Sequence, residues 1–282
     1  MSDAIIEILK WINDMVLGLA GDKGKLLVSM ENIIPELYQY TNLVMESVVM
    51  PVAYTVLALF FVLELQKISV RAEGMGGGVS NIGAEVIFRT LFRMILCKLA
   101  IDSIPLILNA IYEFTTYITS GIAGLMVGDG INGGGIDIDA ITPAIEDLDF
   151  WSGLISLLLC FLTFLITMIA VVMANIIIVA RFIELYVYFA ISPIPVATFP
   201  SDELSQIGKN FIKGFAAVCV QGVLIFLVLS FFPILFNSAF LKSSSSETNI
   251  FLELMGVMGY SIVLIMAVQS TGKWAKSISN AM

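Results

Sequence analysis

Residues 151–180 and 214–241 of this chain contain no Asp, Glu, Lys or Arg. A helix of about 20 apolar residues spans the hydrocarbon of a bilayer, so each of these runs is long enough to cross a membrane unaided. The rest of the chain agrees: 59% of its residues are hydrophobic and 13% charged, against roughly 45–50% and about 25% in a soluble domain. A soluble enzyme is excluded.

Histidine is absent, which removes the usual neutral-pH base, the Ser-His and Cys-His pairs and the commonest metal ligand. Cys97, Cys160 and Cys219 lie in separate apolar runs without metal or redox spacing and read as small buried hydrophobes. No catalytic group, cofactor or metal site is expected.

Five spans follow from the apolar runs: about Leu43–Leu63 with Pro51 inside, Leu91–Tyr112 with Lys98, Asp102 and Pro105, Trp151 to past Val179, Phe215–Phe236, and Phe251–Gln269. Ahead of them, Ile5, Leu9, Ile12, Val16 and Leu19 share one helical face while Asp3, Glu7, Lys10 and Asp14 share another, the pattern of an amphipathic helix. Such a helix lies on a membrane interface or on protein. The acidic start and missing cleavage site do not fit a secretory signal.

Basic residues concentrate on cytoplasmic flanks, so the loops carry an orientation. Lys67, Arg71, Arg89 and Arg93 flank the connection between the first two spans, whereas 113–150 has seven acids and no base. Arg181, Lys209 and Lys213 follow span three, and Lys273 and Lys276 follow span five. The expected organisation is an extracytoplasmic segment 1–42, two spans over 43–112, an acidic Gly-rich external loop 113–150, and three spans over 151–282 with a cytoplasmic extension 181–213. The N-terminus lies outside and the C-terminus in the cytoplasm. A sixth crossing after Arg181 is the competing count. It would put Arg181 and Glu184 near hydrocarbon, at roughly 2.5–3.5 kcal/mol for a charge at mid-membrane, and the five-span count is preferred.

Three polar segments invite functional readings. "GMGGG" at 74–78 lacks the Lys-Ser/Thr ending and the strand of a phosphate loop and reads as a linker. "GDGINGGGIDID" at 128–139 offers oxygen ligands for calcium but matches neither the EF-hand nor the nonapeptide repeat, and reads as a solvated acidic loop. "SSSSET" at 243–248 is a polar connector. Lys98 and Asp102, four residues apart, are the sharper signal, because ionisable groups within spans usually face protein or water. They either line a passage or seam or form a self-neutralised pair that locks packing. Arg89 and Arg93 are expected to snorkel, and Asn175, Gln221 and Gln269 to bond between helices.

The stretch "ISPIPVATFPSDELSQIGKNFIKGFAAVCVQGVLIFLVL" within 181–229 joins a Ser-Pro exit, a short polar turn and a helix opening on a basic residue. In Ser192, Pro193, Phe199, Pro200, Ser201, Lys209 and Phe211 it resembles the TrbL-like conjugal transfer proteins, the polytopic channel family of type IV secretion systems. The short external loop is similar to that of the smaller Gram-positive-type members. The resemblance implies a non-enzymatic, oligomeric channel or scaffold subunit in the bacterial cytoplasmic membrane. Its partners would be lipid, other secretion subunits, cytoplasmic ATPases and translocating DNA, with Arg181, Glu184, Lys209 and Lys213 as the flank that meets partners or DNA. The alternative is a small-solute permease or the membrane subunit of a transporter.

Overall fold

The computed structural model describes residues 2–22, 26–74, 80–128, 142, 145, 149–201, 203–241 and 249–281. Every regular element among the described residues is helical: α1 (Ser2–Asp22), α2 (Met30–Ile33), α3 (Pro35–Val44), a π-turn (Met45–Val49), α4 (Met50–Gly74), α5 (Ser80–Asp102), α6 (Ile104–Gly128), α7 (Phe150–Ile191), α8 (Pro193–Val196), α9 (Ser205–Leu241) and α10 (Asn249–Ile278). Among the described residues, four helices are long and apolar enough to cross a membrane: Pro35–Val70, Phe150–Ile191, Ser205–Phe232 and Leu254–Ile278. A fifth crossing is available if the bent pair Glu85–Asp102 and Ile104–Leu125 counts as one. The chain is an all-α, multi-pass membrane protein with an amphipathic N-terminal helix. The glycine run from 75, the Gly-Asp run from 129 and the serine run at 243–248 lie outside the described residues.

Prolines account for the irregularities. Pro51 has no N–H, and its ring conflicts with the carbonyl four residues back. The helix accommodates it with the π-turn at Met45–Val49, the usual form of a bulge inside an α-helix. Pro105 ends α5 instead, and the chain bends by 59° before α6. Pro193 and Pro195 close α7, whose 42 residues extend about 63 Å at 1.5 Å per residue.

The chain divides into two compact units. The first comprises Met1–Val28, Thr115–Arg181 and Val220–Ala275. Its α10 buries Leu254, Val257, Ser261, Leu264, Val268, Thr271 and Ala275, a strict 3-4 alternation that keeps one seam facing the bundle. On α7 the buried line is Ser156, Cys160, Thr163, Thr167, Ala170, Ala174 and Ile178. The apolar face of α1 is covered by protein: Ile5, Leu9 and Ile12 are buried, Trp11 lies 5.9 Å from Phe164, and the Cys160 thiol points at the Ile5 carbonyl, 3.9 Å away. Of the two settings open to an amphipathic helix, α1 takes the packed one.

Among the described residues a hydroxyl pair bridges two helices of this unit. Thr167 and Ser261 meet at 3.0 Å, and Ser261 also donates to the Val257 carbonyl at 2.9 Å, so Thr167 is the donor in the pair. Gln269 is exposed.

The second unit comprises Ser29–Phe114, Phe182–Cys219 and Lys276–Met282. In it the Tyr186 hydroxyl donates to the Met30 carbonyl at 2.9 Å, and the Tyr38 and Phe189 rings are 5.6 Å apart. Farther on, Ser192 lies against Met45, and Glu203 pairs with Lys67 at 3.1 Å. The chain from Tyr186 to Glu203 therefore runs along the first span from its beginning to its end.

Residues 30–38 and 186–189 lie at the same end of the first span. Arg181, read from the sequence as a flank charge, is buried, 3% exposed. Its guanidinium fills the space over Gly222, where a Cβ would run into it. In addition, 113–150 does not begin as a loop. Helix α6 continues through Gly128, because Ile118, Ile122 and Leu125 keep the apolar pattern going until the Gly-Asp composition begins.

Thr167→Val and Ser261→Ala should be coupled. A double-mutant cycle on the detergent-solubilised protein is expected to return about 0.6 kcal/mol, the mean for hydrogen bonds between membrane helices, and strictly additive losses would show that the pair contributes nothing.

Candidate functional site

The chemistry-bearing residues of the second unit gather in two places, a proline turn and a helix break. The turn runs from Ser192 to Ser201. Ser192, Pro193, Val196, Ala197, Thr198, Pro200 and Ser201 are all buried, so its backbone groups need partners within the chain. Side chains supply them. Ser192 Oγ donates to the Phe189 carbonyl at 2.8 Å, which Pro193, having no N–H, cannot serve. Thr198 Oγ1 donates to the Pro195 carbonyl at 2.7 Å. The Cys97 thiol donates to the Val196 carbonyl at 3.4 Å, and Arg93 Nη1 donates to the Pro200 carbonyl at 3.2 Å.

Helix α9 closes over the turn at a glycine. A Cβ on Gly208 would stand 2.7 Å from the Pro195 carbonyl oxygen and 2.8 Å from Phe199 Cε1. Phe211, one turn later, stacks on Tyr188 with centroids 5.3 Å apart. Ser192, Pro193, Phe199, Pro200, Ser201 and Phe211 thus belong to one folded knot. Arg93, expected to snorkel, anchors that knot instead. Lys67 bridges Glu64 at 3.4 Å and Glu203 at 3.1 Å.

The break lies at the α5–α6 junction. Lys98 Nζ is 3.4 Å from Asp102 Oδ2, with side chains 64% and 38% exposed. Asp102 Oδ1 accepts from the hydroxyl of Tyr54 on α4. The i, i+4 spacing made the Lys98–Asp102 pair visible in the sequence. Tyr54, 48 residues from Asp102, carried no such signal.

The remaining candidates differ in their surroundings. Arg181 is buried in the first unit, Glu184 and Lys213 are partly exposed in the second, and Lys209 is exposed.

The sequence model of the family described as TrbL/VirB6 plasmid conjugal transfer like protein matches residues 28–193. The chain belongs to the TrbL/VirB6 conjugal transfer family. The match takes in more than half of this family member, including Tyr54, Arg93, Lys98, Asp102 and the start of the proline turn. It ends at Pro193, so Phe199, Pro200, Ser201, Lys209 and Phe211, which carry much of the visible likeness, lie beyond it. Comparison with curated proteins and with solved structures found no match. Members of the TrbL/VirB6 family are membrane components of conjugal transfer systems, and this protein is a multi-pass membrane member that works with other components of such a system.

Gly208→Ala should lower stability by about 1–3 kcal/mol, because the carbonyl it meets is backbone and cannot swing aside. Arg93→Ala removes a charged donor from a buried carbonyl and should cost a similar amount. Thermal unfolding of the purified protein measures both, and unchanged melting would mean that the knot does not hold this end of the unit.

Proposed function

We propose that this protein helps to build the channel of a conjugative type IV secretion apparatus in the bacterial cytoplasmic membrane, as one of several copies. The family match over residues 28–193 carries the reading. It is supported by an ion pair held within a span rather than kept at its ends, which is where a membrane protein places charge when a face meets something other than lipid. Energy would come from cytoplasmic ATPases docking on the complex.

In this reading, the end of the second unit that carries Lys67 and Glu203 faces the cytoplasm. Lys209 and Lys213 follow on that side, where they can meet ATPases or guide a DNA strand electrostatically. The Met30–Tyr38 end faces outward. The basic residues Lys67 and Arg71 fit that orientation.

Clean deletion should abolish conjugative transfer while leaving growth unchanged, and transferring DNA should crosslink to the protein; transfer at the normal frequency would end the proposal. A permease would instead take up solute in proteoliposomes with no partner present, which is not expected. Orientation has its own measurement. A thiol probe placed within 30–38 should be labelled from outside and one within 74–78 should not, and equal labelling would overturn the assignment.

A further inference from the structure

Tyr54, Lys98 and Asp102 occupy a particular depth. Along the first span, the contact of Tyr38 with Phe189 lies near one end and the ion pair of Lys67 with Glu203 near the other. Tyr54 falls about midway between them, and its hydroxyl reaches Asp102, the last residue of α5. The ion pair, the tyrosine and the break in the second span thus coincide at mid-depth.

At that depth an exposed ion pair is out of place against lipid, where a single charge costs roughly 2.5–3.5 kcal/mol on insertion scales. The described residues do not enclose this pair, since Lys98 is 64% and Asp102 38% exposed. Hydrogen-bonding capacity is also left over. Lys98 has three N–H donors and uses one on Asp102. The tyrosine oxygen donates once and retains its lone pairs. Donors and acceptors left over together in one place are what water satisfies, whereas an apolar medium satisfies neither.

We infer that the Tyr54–Lys98–Asp102 cluster borders a water-filled passage that reaches the middle of the membrane at the α5–α6 break. This rests on the channel reading above and names the part of the wall that water reaches. The broken second span is the opening: a continuous helix would present only side chains there, whereas the bend presents a polar cluster together with helix ends.

Cysteine accessibility in the assembled, transfer-competent complex tests this. In a background with Cys97, Cys160 and Cys219 replaced by alanine, Tyr54→Cys, Lys98→Cys and Asp102→Cys should react with a charged, membrane-impermeant thiol reagent. Leu59→Cys, Leu96→Cys and Leu99→Cys, on exposed apolar positions of α4 and α5, should react at least about tenfold more slowly. Equal rates across the six positions, or silence at the first three, would overturn the inference. Lys98→Asp combined with Asp102→Lys keeps the pair and should remain reactive at a cysteine placed at 54, which guards against a single charge loss that merely unfolds the site. The two proposals fail separately. Unreactive thiols with transfer lost on deletion remove the passage wall and leave the channel subunit standing, whereas reactive thiols with normal transfer on deletion keep the wall and remove the transfer role.

Discussion

In an apolar medium a backbone N–H or C=O without a partner in the chain costs several kcal/mol, and the departures from straight helix in this protein are shaped by that constraint. Each is tied to proline, which cannot donate and which frees a carbonyl one turn back. At Pro51 the helix absorbs the defect with an extra residue in a π-turn. At Pro105 it breaks and bends. At Pro193 and Pro195 it gives way to a buried turn whose carbonyls are taken up by Ser192, Cys97, Thr198 and Arg93.

The charges follow from the same constraint. Arg93 is not surface decoration on a cytoplasmic flank, because its guanidinium supplies the donor that lets the Pro200 carbonyl stay buried. Arg181 is a bulky filler over Gly222. Lys67 joins the end of the first span to the start of the segment leading into α9. Charge counting alone treats these three residues alike, as markers of orientation, yet their environments differ. Two of them hold the broken backbone in place, and the third occupies space that a side chain on residue 222 would otherwise take.

Much of the architecture was legible in the chain. The apolar runs gave the approximate position of the spans, since hydropathy adds residue by residue and needs no knowledge of neighbours. The 3.6-residue pattern of Ile5, Leu9 and Ile12 identified the face of α1 that is buried. The i, i+4 spacing found the Lys98–Asp102 pair. The extent of α6 was misread because a single acid, Glu113, was grouped with the later aspartates, although the residues around it continue a helix. The burial of Arg181 was missed because its packing over Gly222 joins residues far apart in the chain.

What the sequence by itself determined is what depends on each residue and its near neighbours: a helical membrane protein, its apolar spans, its amphipathic first helix, and the likeness that runs through "SPIPVATFPS". Tertiary structure decided which polar groups meet. Tyr54 finds Asp102 across 48 residues and Arg93 finds Pro200 across 107. Those meetings depend on how far each helix is rotated about its axis and where prolines break it, and a one-residue change in either turns a side chain by about 100°. Local patterns carry no record of that angle, and packing between distant helices sets it.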